Sequence, residues 1–204
     1  MTDAPAPRRV LPVLVLAQLA GTSPWFAVNA VMPELQRDYG WAAADVGTLT
    51  SAVQFGFIAG TLLFALLAVA DRFSARRVFL LCALAGAGCT LAGAWSAGAF
   101  QQLLLWRTLT GFFLAGIYPV GMKIASQWFP RGLGSALGWL IGALILGSAS
   151  AHAVRGLGAA LPWPVVFYSV GAAAALGGLL LYAALPERPR AAGAGAGLQW
   201  RALG

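Results

Sequence analysis

Two basic side chains lie in or beside one apolar run, where charge is costly. Arg107 is inside the run from about 101 to 122, which is long enough to cross a membrane as a helix. A guanidinium there needs a carboxylate, a phosphate or backbone carbonyls as partners. Two settings fit Arg107: a group that attracts an anion or couples helices in a polar pathway, or a group that extends to the lipid headgroups.

The far end of the same run carries two more polar groups. Tyr118 follows Arg107 by eleven residues and shares its helix face unless Pro119 rotates the helix. Lys123 follows Arg107 by sixteen residues, which places it on nearly the opposite side. We expect Lys123 either to extend to the headgroups or to face the pathway as a second cation for an anionic solute.

Side chains that hydrogen-bond or stack recur at helical spacing in the first apolar run. They lie at i, i+4, i+7 and i+11, on one face of a helix: Gln18, Thr22, Trp25 and Asn29. This stripe predicts the wall of a polar pathway, and the alternative is a hydrogen-bonded seam between helices. A shorter patch in the second run fits either role equally: Thr50, Ser51 and Gln54.

Other kinds of chemistry have little support. His152 is the only histidine, and its imidazole either carries a transported proton or is solvated at the end of its run. Ser148 lies one helical turn before it, but no nucleophile motif or orienting acid accompanies the pair, so no enzymatic activity is predicted. Cys82 and Cys89 lie roughly 10 Å apart along a helix, too far to form a disulfide with each other. No metal or cofactor site is indicated.

The composition identifies the elements that position these residues. Hydrophobic residues make up 60% of the chain and charged residues 9%, with a mean hydropathy of +0.79, whereas soluble proteins average about 25% charged residues. A soluble domain, a disordered tail and a secreted disulfide scaffold are excluded. An all-α, multi-pass membrane protein is predicted, with six transmembrane helices at about 10–31, 46–70, 78–97, 101–122, 133–154 and 165–185.

The net charge of +7 indicates orientation rather than nucleic-acid binding, because the basic residues lie in short loops between spans. The two termini and the loops on their side of the membrane carry nine basic residues: Arg8, Arg9, Arg72, Arg76, Arg77, Arg131, Arg188, Arg190 and Arg201. The opposite loops carry Arg37 and Arg155, so both termini are predicted in the cytoplasm. We expect the first span to be retained, since its apolar part is too long for a signal peptide. Residues 1–190 form the membrane domain, and 191–204 form a flexible tail or the beginning of an interdomain loop.

The loop between the second and third spans carries the most specific pattern, A-D-R-F-S-A-R-R at 70–77. It resembles the signature loop of the major facilitator superfamily, G-x-L-A-D-R-x-G-R-R. Leu67 and Ser74 stand where the family usually has glycine, and Ala75 replaces a basic residue. The resemblance assigns a signature-loop and gating role to Asp71, Arg72, Arg76 and Arg77.

Further residues agree with this resemblance. Arg107 with Gly111 and Gly116 is similar to the family's R-x-x-x-G pattern, and Y-P-V-G-M-K at 118–123 is similar to its fourth span. Small residues four positions apart let helix backbones approach closely. They occur in the second and fifth spans: Gly56 and Gly60, then Gly134, Gly138 and Gly142. The fifth-span set is similar to the family's glycine-rich fifth helix, although the Gly-Pro signature of its drug/proton antiporters is missing.

The resemblance covers essentially the whole chain but only the first half of a twelve-span fold. It implies a permease half that moves a small solute by alternating access across a bacterial inner membrane, with the proton gradient as energy source and no cofactor. Arg107 and Lys123 favour an organic anion. The alternative is a truncated remnant or membrane assembly partner that transports nothing.

The resemblance also implies partners for this half. Besides membrane lipid and the small-molecule substrate, we expect a second copy in a parallel homodimer or a missing C-terminal six-helix half. In the family the signature acid docks onto a helix N-terminus of the opposite half, where the helix dipole favours negative charge. Asp71 is therefore expected to meet the beginning of the fifth span, at 132–135, of a second copy.

Overall fold

The computed structural model describes residues 7–158 and 161–186, and this part of the chain consists of α-helices joined by short turns. In chain order the helices are α1 (Val10–Thr22), α2 (Ala27–Ala30), α3 (Met32–Tyr39), α4 (Ala43–Leu66), α5 (Val69–Arg72), α6 (Ala75–Trp95), α7 (Phe100–Leu114), α8 (Tyr118–Trp128), α9 (Leu133–Leu157) and α10 (Pro164–Ala184). The predicted all-α class is confirmed. The predicted tail at 191–204 lies outside the described residues, as do Arg188, Arg190 and Arg201.

Five helical stretches of the described chain are long and apolar enough to cross a membrane. They are Ala44–Leu66, Ala75–Trp95, Phe100–Trp128, Leu133–Leu157 and Pro164–Ala184. These stretches coincide with the second to sixth predicted spans. A helix satisfies its own backbone polar groups, so each stretch can lie in hydrocarbon. α1 is a shorter apolar helix.

The predicted first span, 10–31, is not one continuous helix, which corrects the sequence-based prediction. α1 ends at Thr22, and α2 begins at Ala27 after a turn at 23–26. Pro24 has no N–H to donate to the carbonyl of Ala20, so the helix cannot continue regularly. The Ser23 hydroxyl donates to that carbonyl instead, at 2.7 Å.

Two other predicted spans also change direction. α7 ends at Leu114 and α8 begins at Tyr118, because Pro119 leaves the carbonyl of Ala115 without its usual helical donor. α4 ends at Leu66, earlier than the predicted end at 70. The chain then passes through Ala68, whose left-handed backbone (φ 48°, ψ 39°) separates α4 from the short α5.

A helix also occupies the predicted loop between the first and second spans. α3 has Pro33 in its first turn and ends at Tyr39, and the residue that follows, Gly40, has a left-handed backbone with φ of 69°. Proline early in a helix and glycine after its last residue are typical start and stop signals. A search for long apolar runs does not find α3, because the helix is only eight residues long and contains charged side chains.

The longer helices form an arc in which successive neighbours are α4, α7, α6, α10, α1 and α9. α8 continues the fourth span and contacts α1, α6 and α9. Buried side chains such as Leu14, Phe79 and Ile117 fill the space between them. α4 and α9, at the two ends of the arc, are the least buried of the five candidate spans.

Glycines bring α4 and α7 into backbone contact. A Cβ at Gly56 would overlap the Thr108 carbonyl, and a Cβ at Gly111 would overlap the Val53 carbonyl. Gly60, one turn after Gly56, faces α7 in the same way. This is the close approach that the spacing of Gly56 and Gly60 predicts.

The glycines of the fifth span have a different environment. No described atom lies within 4 Å of a Cβ built at Gly134, Gly138 or Gly142. The close approach of α9 to α1 occurs instead at Gly147, where a Cβ would overlap the Leu19 carbonyl. A packing role for the three earlier glycines stays a prediction, and it needs a neighbour outside the described part of this chain.

Candidate functional site

Arg107 binds the backbone at the break in the first span. Its Nη1 donates to the Pro24 carbonyl at 2.9 Å, and its Nη2 donates to the Trp25 carbonyl. The side chain is 1% exposed. Carbonyls at a broken helix end lack intrahelical donors, so a guanidinium satisfies them where water is excluded. Of its two predicted settings, the structure places Arg107 inside the bundle as a group that couples helices, rather than at the headgroups.

Ser23 holds the same break from the opposite side. Its hydroxyl lies 3.0 Å from the Val170 carbonyl of α10, as well as bonding back to Ala20. The turn at 23–26 is thus linked to α7 through Arg107 and to α10 through Ser23. The sequence analysis missed Ser23, although a serine directly before a proline in an apolar run signals a locally satisfied break.

Two contacts connect the segment after the break to α4. The Asn29 amide Nδ2 donates to the Thr50 hydroxyl at 2.7 Å, and that hydroxyl lies 2.8 Å from the Val46 carbonyl. The Trp25 ring packs against Phe57 with centroids 4.9 Å apart. Trp25 and Asn29 are half-buried. The structure therefore brings half of the predicted stripe to the second span.

The other half of the stripe is fully buried inside the bundle. Gln18 and Thr22 are 0% exposed, and the Thr22 hydroxyl donates to the Gln18 carbonyl at 2.9 Å. The Gln18 carboxamide lies beside Gly121 of α8 and has no hydrogen-bond partner among the described residues. Neither side chain hydrogen-bonds to another helix among the described residues, so the choice between a pathway wall and a hydrogen-bonded seam stays open. The four residues do not share one helix face, because the helix breaks between Thr22 and Trp25.

The remaining predicted pathway residues lie apart from Arg107's partners. Gln54 is exposed on α4, and Tyr118 is half-buried at the beginning of α8. The Lys123 ammonium donates to the Ala70 carbonyl at 2.6 Å and forms an ion pair with Asp71. Lys123 thus contacts the signature loop, and a role for it in the solute pathway stays a prediction.

The arginines of the signature loop have separate settings. Nη1 of Arg76 donates to the Leu185 carbonyl at 2.6 Å and to the Tyr182 carbonyl at 3.2 Å, and its guanidinium lies 4.5 Å from the Tyr182 ring centroid. It therefore satisfies the last carbonyls of α10. Arg72 and Arg77 are exposed.

An ion pair that the sequence analysis missed lies at the opposite end of the bundle. Glu34 of α3 pairs with Arg155 of α9, with side chains 13% and 22% exposed. Arg155 also donates to the Leu161 carbonyl at 2.9 Å. His152 is exposed nearby, its ring 6.4 Å from that of Phe26. In the described part of the chain no group of three or more His, Cys, Asp or Glu could hold a metal ion.

Comparisons with known proteins place this arrangement in one family. Residues 14–203 match the model of the Major Facilitator Superfamily. The chain is 32% identical over 111 residues to the 4-hydroxybenzoate transporter PcaK of Acinetobacter baylyi, covering 54% of this chain and 24% of that protein. It is 30% identical over 152 residues to the uncharacterized transporter YgaY of Escherichia coli O157:H7, covering 73% of this chain and 37% of that one.

Solved structures share the fold at low sequence identity. The proton:xylose symporter XylE matches with a TM-score of 0.74 and 17% identity, over 87% of this chain and 44% of that chain. A bacterial homologue of the human lysosomal transporter Spinster matches with a TM-score of 0.74 and 20% identity, over 90% of this chain and 44% of that one. The chain thus spans less than half the length of these relatives. A broken first span, glycine-packed second and fourth spans and a signature loop accompany the match: the chain belongs to the Major Facilitator Superfamily.

Proposed function

We propose that this chain is a six-span transporter half that moves a small solute by alternating access across a bacterial inner membrane. The family match over residues 14–203 carries the proposal, and the sequence relatives are named as transporters. In this proposal α1, the turn at 23–26 and α2 cross together as the first of six spans. Both termini face the cytoplasm, as the arginine distribution favours.

The proposed substrate class is an organic anion. Support comes from PcaK, which is named for 4-hydroxybenzoate, a carboxylate at neutral pH. Support also comes from Arg107, whose described partners are neutral carbonyls rather than an acid. Carbonyl dipoles stabilise the guanidinium but do not neutralise its positive charge. A cation without a counter-ion in a low-dielectric interior attracts anions.

The proposed pathway lies on the open side of the arc, between α4 and α9. Trp25 and Asn29 after the break, Gln54 on α4 and Tyr118 on α8 supply a stacking surface and hydrogen bonds. A second copy of the chain or a C-terminal six-helix half supplies the facing wall. The proton gradient supplies the energy, and no cofactor is required.

Uptake into proteoliposomes tests this function. The purified 204-residue chain is reconstituted, an inward proton gradient is imposed, and entry of radiolabelled 4-hydroxybenzoate and related carboxylates is followed. We expect saturable uptake that a protonophore reduces to background. Arg107→Ala should reduce this uptake by at least about 90%, because the variant lacks both the contact that holds the turn at 23–26 and the positive charge.

Arg37→Ala is the matched control, because Arg37 is an exposed arginine whose side chain is 74% accessible. It should retain uptake. Folded wild-type chain that gives no flux with any carboxylate, in either gradient direction, would overturn the proposal and support the non-transporting alternative.

A further inference from the structure

The end of the bundle opposite the signature loop has an apolar core of its own. A cluster of buried side chains joins α2 and α3 to α4, α6, α7, α9 and α10, and it is separate from the cluster around Phe79. The short helix α3 contributes the buried side chains of Met32 and Leu35 to it. Burial of apolar surface holds α3 across the ends of several spans, although the helix itself is too short to cross a membrane.

Aromatic rings hold the last turn of α3. The Tyr39 ring lies against Gly98, where an added Cβ would be 3.2 Å from the ring, and its centroid is 6.5 Å from that of Trp163. Trp41, just after the helix, packs edge-on against Phe100 with centroids 5.3 Å apart. These contacts join α3 to the turn between α6 and α7 and to the residue that precedes α10.

An ion pair holds the first turn of α3. Glu34 pairs with Arg155 of α9, and the two side chains are only 13% and 22% exposed. The Arg155 Nη1 also donates to the Leu161 carbonyl at 2.9 Å and to the Gly158 carbonyl at 3.4 Å. One guanidinium thus connects α3 to the backbone that follows α9, because its several donors serve a carboxylate and carbonyls together. Removing Glu34 would leave a partly buried charge without its partner, which is costly.

We propose that Glu34 is a positioning residue for the junction between the fifth and sixth predicted spans. Its carboxylate orients the Arg155 guanidinium toward the carbonyls of Gly158 and Leu161, while Tyr39 holds the same junction through Trp163. The segment from α2 to α3 is therefore carried by α9 and α10 as one body and does not swing separately about the turn at 23–26. The inference concerns the geometry of this end of the bundle and does not depend on the proposed transport or its solute.

Hydrogen exchange in the detergent-solubilised chain, resolved into peptides by mass spectrometry, tests the proposal. The Leu161 amide donates to the Gly158 carbonyl at 2.8 Å and the Val165 amide to the Pro162 carbonyl at 3.0 Å, so a peptide spanning 155–166 reports on the junction. Glu34→Gln keeps the shape of the side chain and removes its charge. We expect exchange in this peptide and in α3 to become about tenfold faster, with exchange in α7 and α8 unchanged, because the opening is local.

Asp38→Asn is the matched control, because Asp38 is an acid on the same helix whose ion pair with Arg37 is exposed. Exposed ion pairs contribute little, so this variant should exchange like the wild-type chain. Unchanged exchange in Glu34→Gln would overturn the proposal. Exchange that becomes equally faster in α7 and α8 would also overturn it, since Glu34 would then support only the stability of the whole bundle.

Two further variants complete the test. The exchange Glu34→Arg with Arg155→Glu restores the ion pair in reverse and should recover the protection of α3 that Glu34→Gln loses. A folded double variant without this recovery would contradict a contact that acts through charge. Tyr39→Ala removes the aromatic contacts instead and keeps the proposal testable if Glu34→Gln does not fold. It should also speed exchange in the peptide 155–166, and unchanged exchange there would contradict the role of α3 at the junction.

Discussion

The Arg107 guanidinium replaces hydrogen bonds that the first span loses where its helix breaks. Pro24 and the turn after it leave carbonyls without intrahelical donors. In an apolar interior each unsatisfied polar group costs free energy, roughly 1–3 kcal/mol. Arg107 donates to the carbonyls of Pro24 and Trp25 in the turn, and so connects α7 to the first span. The same residue therefore stabilises the bundle and fixes the backbone from which Trp25 projects.

Replacing Arg107 tests this coupling. Arg107→Ala removes one donor from the Pro24 carbonyl, which keeps the Ala27 amide at 3.3 Å, and one from the Trp25 carbonyl. We expect it to lower the free energy of unfolding by about 2–5 kcal/mol. Arg107→Lys should lower the free energy of unfolding by roughly half as much as Arg107→Ala, because an ammonium keeps the charge but lacks the planar two-donor geometry of a guanidinium. Equilibrium unfolding in mixed detergent micelles measures both. Equal stability of Arg107→Ala and the exposed-site control Arg37→Ala would contradict the coupling.

At this scale the sequence predicts which residues are costly to bury, but not what they bind. Arg107 is conspicuous because a charge lies in an apolar run. Its partners are backbone carbonyls exposed by a proline 83 positions earlier in the chain, and no spacing rule reports such a contact. Lys123 shows the same limit, since its distance from Asp71 depends on how α4 ends and α8 begins. The stripe that joins Gln18 and Thr22 to Trp25 requires an unbroken helix, and α1 ends at Thr22.

Among the elements, α4 and α7 show how these helices are held together. Lipid tails are as apolar as the side chains, so helix association in a membrane relies on close packing. Gly56, Gly60 and Gly111 remove the side chains that would keep the two backbones apart. α9 has the same glycine spacing at 134, 138 and 142 but no described neighbour there. Spacing thus predicts the capacity for close packing but not whether a partner helix is present.

Two glycine-to-alanine variants distinguish a glycine packed against another helix from one without a described neighbour. Gly56→Ala forces a methyl group onto the Thr108 carbonyl. We expect it to lower the free energy of unfolding by about 3 kcal/mol or more, or to prevent folding. Gly138→Ala meets no described atom within 4 Å, so it should stabilise α9 by roughly 0.5–1 kcal/mol through helix propensity. Unfolding in mixed micelles and gel-filtration recovery check both. A Gly56→Ala variant as stable as Gly138→Ala would contradict the α4–α7 contact.

Five of the six predicted spans match long apolar helices, because an apolar run of about 20 residues has few alternatives in a membrane. The second to sixth spans follow from composition alone. The breaks do not, because they depend on Pro24, Pro119 and the left-handed Ala68, single residues that hydropathy averages over. Composition does not predict α3 for a related reason: an eight-residue helix that mixes apolar and charged residues has no long apolar run.

As a whole, the molecule is an arc with two exposed end helices and one densely basic face. The described arginines of that face are at 8, 9, 72, 76, 77 and 131, whereas Arg37 and Arg155 lie at the other end. Positive residues are retained on the cytoplasmic side during insertion. Arg155 is also paired with Glu34, which leaves Arg37 as the main exposed cation at its end of the described chain.

Reporter fusions test the predicted orientation. Alkaline phosphatase is active only outside the cytoplasm, so fusions after Gly40 and after Pro162 should be active, and fusions after Phe73 and after Pro130 should be inactive. Green fluorescent protein at the same four positions should give the inverse pattern. Activity of the Phe73 fusion together with inactivity of the Gly40 fusion would reverse the orientation.

Transport by this chain is the central claim, and counterflow tests it most directly because no ion gradient is needed. Proteoliposomes containing the 204-residue chain are loaded with unlabelled 4-hydroxybenzoate and diluted into labelled tracer. A transporter gives a transient accumulation of tracer above equilibrium, which Arg107→Ala should abolish and the exposed-site control Arg37→Ala should retain. Folded, reconstituted wild-type chain that shows no such overshoot, with 4-hydroxybenzoate or any related carboxylate, would contradict the claim.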